Sequence, residues 1–541
     1  GRNNTYSTLF SYEKEIHQSG INAGNDTLEF TSANITKDNI IVKAEGTNLV
    51  IGIKEDGVSF LNLQNRITLK NWLDKNHRIE QIKFANGEMI SPDLLQIPTE
   101  ENDYLIYGDS DLTIDLLDGN DIAYFGDGNN NINLNDGDNT ITLGSGNNTI
   151  ISGDGKAIIS SGNGKNTITT GLSADEISLG GGDNRVNSGA GDDIVNIGAG
   201  ENIVNSGSGN DIIISKGTAY SQTEEKELNF NIGGTSANYT IKGKTTNFAK
   251  TQTIDAGSGN DIVKTGLDNS NRFSVIGNDV ISGGSGDDEL YAGLGNDIYV
   301  FSKDNGIDII VDQGVEINAV SGKTTFIDAG MDTIRFEEGI TIDDIIVKAV
   351  RSGGLLGTYD SENGSTLDAV IDGISYDLVI ALKEDGKEFN ELQNKMILKN
   401  WTDKFQRIEN LELFDGTPIY WDEVHLGTDE SEYLIYDSSS QNVNAKAGND
   451  QILTESGNDT IDGGSGDDII VSQEGDDKLI GGSGNDNLYG GKGNDTYVYN
   501  KGDGNDLIYD DYKERVETNT YGTITVDYIA RDAGNDTLKF G

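Results

Sequence analysis

The sequence has no cysteine and only 3 prolines in 541 residues. Without cysteine a disulfide framework, a thiol nucleophile and a thiolate metal site are all excluded, and a thiol-free chain suits export in the unfolded state. No run of 18 apolar residues occurs, so no membrane-spanning helix is expected. Basic residues are scarce, 39 against 91 acidic ones, for a formal net charge of -52. Nucleic acid and anionic membranes both require basic surface, so neither is an expected partner. A charge of this size repels itself in a compact state unless counterions, divalent cations above all, lie among the acids. Catalytic signatures are missing too: there is no HExxH zinc motif and no GxSxG nucleophile elbow, and no enzyme is expected. The three histidines, His17, His77 and His425, accompany no nucleophile pattern and read as surface residues. The chain opens Gly-Arg-Asn-Asn, with neither an initiator Met nor a signal peptide, and reads as part of something longer.

Glycine is abundant, 71 of 541 residues, well above the roughly 7% of average proteins. With an apolar share of 34% this composition alone resembles a disordered chain, but disorder does not hold apolar and acidic residues in columns. Residues 447–498 read AGNDQILTESGNDTIDGGSGDDIIVSQEGDDKLIGGSGNDNLYGGKGNDTYV. Aspartate recurs every nine residues, at Asp450, Asp459, Asp468, Asp477, Asp486 and Asp495, and two residues after each comes Ile452, Ile461, Ile470, Leu479, Leu488 or Tyr497. A period of nine with glycine, aspartate and one apolar residue in fixed columns predicts an all-β chain built on a parallel β-roll. The glycines admit positive φ, and the aspartates present the hard oxygen ligands that Ca²⁺ prefers. One buried residue per nine makes a continuous but thin core, so metal is expected to supply part of the stability.

Two further rolls share this plan. The first keeps its apolar column from Ala123 through Ile132, Ile141, Ile150, Ile159, Ile168, Ile177, Val186, Val195 and Val204 to Ile213, yet carries Asp only at Asp121, Asp175, Asp193 and Asp211. One coil takes two nonapeptides, so these four share an edge, and the opposite edge is a row of asparagines, Asn130, Asn148, Asn166, Asn184 and Asn202. Asn keeps a carbonyl oxygen without the charge, and the expectation is a hybrid roll with calcium on one edge and a hydrogen-bonded Asn ladder on the other. Asp118, Asp127, Asp136 and Asp154 are alternative ligands. The second roll carries Asp261, Asp279, Asp288 and Asp297. The aromatic runs IYVFSKDNGIDIIVD from Ile298 and TYVYNKGDGNDLIYD from Thr496 read as caps over the last apolar layers.

A longer repeat organises the whole. Residues 24–107 and 330–436 share GNDTLEF and GMDTIRF, ITKDNIIVKA and ITIDDIIVKA, LKNWLDK and LKNWTDK, and a final YLIY. Period-two alternation makes both modules β-rich, with short helical turns opening at Thr36 and Thr341 and with Trp72 and Trp401 in the core. The expected division is 1–23, the end of a preceding roll; 24–107, a module; 108–215, the mixed Asp/Asn roll; 216–253, a hairpin-like insertion; 254–329, the second roll and cap; 330–436, the second module, with an extra insertion around Arg351 to Asp377; 437–533, the fully acidic roll and cap; and 534–541, the start of a third module.

The stretches GGSGDDIIV, GGSGNDNLY and GGKGNDTYV resemble the nonapeptide GGxGxDxUx of RTX (repeats-in-toxin) haemolysin-type calcium-binding proteins. The modules resemble the haemolysin-type calcium-binding-related domain of large RTX exoproteins. This resemblance implies several bound Ca²⁺ ions, with ligands at Asp450, Asp459, Asp468, Asp477 and Asp486 and the neighbouring glycine-loop carbonyls. It further implies type I secretion from a Gram-negative cell and folding on calcium outside it. Two roles follow as expectations: a structural or adhesive stalk or surface-layer element with a cell-surface or self-association partner, or the receptor- or glycan-recognition region of a toxin or exoenzyme whose catalytic domain lies elsewhere.

Overall fold

The computed structural model describes residues 25–216, 251–267, 271–317, 324–327, 329–351, 376–401, 403, 406–509 and 534–541. It adds the backbone of strands Thr5–Ser7, Lys14–Ile16, Tyr220–Ile232, Thr235–Phe248, Tyr512–Thr520 and Thr523–Arg531. His17 and residues 352–375, most of the insertion in the second module, lie outside the described residues. The chain divides into two compact units, Gly1–Gly283 with Ile317–Lys323, and Gly284–Glu316 with Thr324–Gly541.

In the first unit, residues 25–107 fold around a core in which Leu28, Phe30, Val42, Leu49, Ile51, Trp72, Ile82 and Phe84 are buried. The alternating segments Ile40–Glu45, Asn48–Ile53 and Arg66–Leu69 form an antiparallel meander. Thr36 and Asn39 bracket a 3-10 turn at Lys37–Asn39, the amide of Thr36 donating to Asn39 Oδ1 at 3.0 Å. From Tyr104 the period changes to nine and the chain winds into two parallel sheets. One runs from Tyr104–Ile106 through Ile122–Phe125, Asn139–Leu143, Ala157–Ser161, Glu176–Leu179 and Ile194–Ile197 to Ile212–Lys216 and Ile262–Leu267. The other runs from Thr113–Asp115 through Asn131–Asn135, Thr149–Ser152, Thr167–Thr169 and Arg185–Asn187 to Asn202–Asn205, Gln252–Asp255 and Val280–Ser282. Strand partners lie 18 residues apart, as Ile150↔Ile168 and Ile159↔Ile177 show, so one coil holds two nonapeptides. The apolar column from Ala123 to Ile213 is wholly buried between the sheets. The antiparallel hairpin Tyr220–Ile232/Thr235–Phe248 interrupts the winding without shifting it, since Val204 pairs with Ile254 and Ile213 with Val263.

The second unit repeats this plan. Tyr376–Leu382 joins Ile345–Arg351 and Lys395–Leu398 in the meander, and a 3-10 turn stands at Ile342–Asp344. The aromatic coil at Ile298 is an internal layer, not an outer cap. Ile298–Phe301 pairs in parallel with Thr333–Phe336, and Ile307–Ile310 with Lys395–Leu398 of the module. Tyr299 and Phe301 are buried, and the Phe301 and Phe336 rings lie 5.7 Å apart. The module continues the two sheets of the coil because its own strands take the next rungs. The acidic roll follows, from Tyr433–Ile435 to Leu507–Tyr509 in one sheet and from Asn442–Asn444 to Thr537–Phe540 in the other. Thr537–Phe540 meets Thr496–Tyr499 in the register that Thr333–Phe336 keeps with Ile298–Phe301.

His425 corrects the surface reading. It is 1% exposed and bridges two segments: Nδ1 lies 3.0 Å from the Val347 carbonyl oxygen, and Nε2 accepts from the Ile435 amide at 3.1 Å. His77 is half-buried beside the Asp74 carboxylate at 3.1 Å.

Candidate metal centre

The glycine loops let successive coils approach more closely than side chains allow. At Gly466, with φ +132°, a Cβ would run into the carbonyl oxygen of Gly448 on the preceding coil. This stacking brings aspartates 18 residues apart into a row. One oxygen of each accepts a hydrogen bond from the backbone of the preceding coil. The amides of Asp450, Asp459, Asp468 and Asp477 donate to Oδ1 of Asp468, Asp477, Asp486 and Asp495 at 2.8–2.9 Å. The first roll does the same along its acidic edge, where the amides of Ala157, Asp175, Asp193 and Asp211 donate to Oδ1 of Asp175, Asp193, Asp211 and Asp261 at 2.6–2.8 Å. At the start of that edge, Asp103 donates to Asp121 Oδ1 at 2.8 Å. Gln252 donates to Asp279 at 2.8 Å, Asp288 to Asp308 at 3.2 Å, and Asp297 to Asp332 at 2.6 Å. All fourteen aspartates expected at metal positions are buried in these rows.

The other oxygen decides the chemistry. Oδ2 of Asp121, Asp450, Asp468 and Asp486 is buried and makes no hydrogen bond. The Ser188 and Ser472 hydroxyls, which reach the carbonyls of Ser206 at 3.2 Å and Gly490 at 3.0 Å, also lie beside Asp193 and Asp477 and offset only part of the effect of burial. Burial therefore pushes the Asp193, Asp450 and Asp468 carboxyls up to about 7 and those of Asp477 and Asp486 up to about 6. The loops also aim carbonyl oxygens at the same places. A Cβ built on Gly463 would stand 2.6 Å from both Asp468 Oδ2 and the Gly481 carbonyl oxygen. A methyl there would crowd both oxygens, so glycine at 463 keeps this carboxylate and this loop carbonyl, two hard donors, open to an ion beside them. Among the described residues no three acidic or histidine side chains converge as a ready-made ligand set. A cation held here would draw on one carboxylate oxygen per turn and on loop carbonyls. The residues fit Ca²⁺, which takes many oxygens in flexible geometry.

The asparagine edge shows what replaces a cation. Nδ2 of Asn130, Asn148, Asn166 and Asn184 donates to Oδ1 of Asn148, Asn166, Asn184 and Asn202 at 3.0–3.1 Å, and Asn202 donates to Gln252 Oε1 at 2.8 Å. The same amide nitrogens donate to glycine carbonyls, Asn130 to Gly128 at 2.9 Å and Asn166 to Gly164 at 3.1 Å. Each Asn thus brings its own donor to carbonyls that otherwise face a second acceptor. Asp118, Asp127, Asp136 and Asp154, the alternative ligands, are exposed. Two of them clip the backbone instead, Asp127 accepting from Ser145 at 2.9 Å and Asp136 from Asp154 at 2.8 Å.

Sequence reasoning overlooked two groups. One is the Asn/Asp column directly before the buried aspartates. Exposed Asn449, Asp467 and Asp476 accept from the amides of Asp467, Asn485 and Asn494 on the following coil at 2.8–2.9 Å. Adjacent residues such as Asp467 and Asp468 therefore clip coils in opposite directions. The signal was the same period of nine, one residue earlier. The other is the module's own share of the acidic row: Asp332 donates its amide to Glu409 at 2.8 Å, as Asp26 does to Glu80 at 2.6 Å. These acids stand outside the nonapeptides, so no period pointed to them.

A parallel β-roll with glycine loops and a buried row of half-bonded aspartates defines a calcium-binding repeat protein. Residues 124–159, 160–195, 198–215, 253–270, 275–308, 438–470, 463–497 and 471–508 match the RTX calcium-binding nonapeptide repeat, and residues 48–93 match the haemolysin-type calcium binding protein related domain. The chain carries RTX repeats in several copies together with that related domain. No curated protein matches it. Among the described residues no helix is long and apolar enough to cross a membrane.

Proposed function

We propose that this chain is the calcium-dependent structural region of a secreted RTX protein, which folds on meeting Ca²⁺ outside a Gram-negative cell and serves as a stalk or surface-layer element. One observation carries the reading. Along the acidic roll the buried Oδ2 of Asp450, Asp468 and Asp486 makes no hydrogen bond, and at Gly463 that of Asp468 lies beside a loop carbonyl, whereas on the asparagine edge an amide donates to the loop carbonyl. Ligands from successive coils meet only in the wound state, so metal binding and folding are one event. Extracellular calcium modules bind at about 10⁻⁴–10⁻³ M, which leaves the chain open in a low-calcium cytoplasm and closed outside. Duplication of module and roll lengthens the chain by copying, which favours a structural over a catalytic role. Far-ultraviolet circular dichroism and small-angle scattering in EDTA and in millimolar Ca²⁺ test this. A gain in β signal and a fall in radius of gyration are expected, and superimposable curves would refute it.

A further inference from the structure

The joint between the aromatic coil at Ile298 and the module that follows brings Asp297, the last nonapeptide aspartate of its roll, into line with acids that lie outside the nonapeptide loops. Asp297, Asp332 and Glu409 each stand one residue before successive strands of one sheet, Ile298–Phe301, Thr333–Phe336 and Asn410–Glu412. They are linked in series: the Asp297 amide donates to Asp332 Oδ1 at 2.6 Å, and the Asp332 amide to Glu409 Oε2 at 2.8 Å. Asp312 enters from the facing sheet, two residues beyond Ile307–Ile310. It is 1% exposed, and neither of its carboxylate oxygens makes a hydrogen bond. The charged groups acting on it are Asp332, Glu409 and Asp297, all acidic. The buried Tyr299 ring lies among the same carboxylates, its hydroxyl accepting from the Ala292 amide at 3.2 Å.

A buried carboxylate with no donor and only acidic neighbours is strongly unfavourable unless a cation or a proton joins it. We propose that Asp312 and Asp332, flanked along the column by Asp297 and Glu409, hold a divalent cation of the calcium type that fastens the coil to the module. This site rests on the calcium-dependent reading of the chain, but its two anchoring acids, Asp312 and Asp332, belong to no nonapeptide loop. Two carboxylates suffice to anchor an ion whose other ligands are carbonyl or water oxygens. The plan recurs in the sequence, where Asp495, Tyr497 and Asp510 repeat the spacing of Asp297, Tyr299 and Asp312, and Asp536 stands one residue before Thr537–Phe540 as Asp332 does before Thr333–Phe336. There too the Asp495 amide donates to Asp536 Oδ1 at 2.8 Å.

The test counts calcium bound per full chain at saturation, by equilibrium dialysis and atomic emission, for the wild type and Asp312→Asn. One ion fewer in the variant is expected. Because the variant can misfold, crystals of the wild type soaked in terbium provide a second measurement, with an anomalous peak expected between Asp312 and Asp332. An unchanged count, or no peak at this joint beside peaks in the loops, means that the pair shares a proton and overturns the site alone. A wild-type chain that takes up no calcium overturns the general reading with it.

Discussion

His425 and Gln96 hold equivalent positions in the two modules and perform one task with different chemistry. Gln96 accepts the Ile106 amide at 3.0 Å, and His425 accepts the Ile435 amide at 3.1 Å. Full burial pushes the imidazole down to about 4, so it stays neutral and able to accept at physiological pH. His425→Gln should therefore keep thermal stability within about 1 kcal/mol, whereas His425→Ala, which leaves a buried amide unpaired, should cost about 1–3 kcal/mol. Calcium-saturated thermal melts compare the two, and equal losses would refute the equivalence. Arg78 and Arg407 form a second matched pair. Nε of each donates to the carbonyl of Trp72 or Trp401 at 3.0 and 2.9 Å, and the guanidinium reaches Asp109 or Glu455 in the following roll. Arg78 and Arg407 thus clamp each module to the roll that follows it. At Gly463, where a Cβ would stand 2.6 Å from two oxygens, Gly463→Ala should weaken calcium binding of the acidic roll at least about tenfold at one site. Isothermal titration measures this, and an unchanged isotherm would remove that loop from the metal-binding set.

At the scale of the elements, the two edges of the first roll differ by one heavy atom per rung wherever Asp121, Asp175, Asp193 or Asp211 stands against an asparagine of the other edge. Replacing Asn166 with Asp exchanges a donor for an acceptor against Gly164 O and Asn184 Oδ1, which lie 3.1 and 3.0 Å away. In EDTA this should destabilise the roll by about 1–3 kcal/mol, and calcium should restore much of the loss; a loss that calcium leaves untouched would count against the edge being convertible. The acidic roll has its own pH dependence. Its carboxyls rise from an ordinary 3.8 to about 7 at Asp450 and Asp468 on burial, so without metal the folded roll binds more protons than the unfolded chain. Stability in EDTA is then greatest below about pH 4, falls as pH rises towards about 7, and levels off above. Calcium reverses the sign, because protons compete for the same oxygens and affinity climbs through that window. Circular dichroism melts from pH 4 to 8, with and without calcium, should show the two opposite trends; parallel trends would show that these carboxyls are not the ligands.

Across the whole molecule, calcium dependence should be uneven. The acidic roll has Asp459 and Asp477 on one edge and Asp450, Asp468 and Asp486 on the other, whereas the first roll closes one edge with asparagines. Hydrogen exchange as free calcium is lowered should therefore expose residues 447–498 at calcium concentrations that leave 130–205 protected, and loss of protection in both together would contradict this.

Much was legible in the sequence alone. The period of nine determined the coil, its two sheets, the buried column from Ala123 to Ile213 and the rows of Asp and Asn, because a coil of two nonapeptides places every ninth residue at an equivalent turn and every eighteenth on the same edge. The long repeat revealed the modules, since LKNW and YLIY recur with their Trp and Tyr. Only the tertiary structure decided what happens where the periods end. It turned the aromatic coil into an inner layer, buried His425, and carried the acidic row through Asp332 to Glu409. These residues lie up to 77 positions apart. What sets their environment is pairing between strands distant in the chain, which no local spacing encodes.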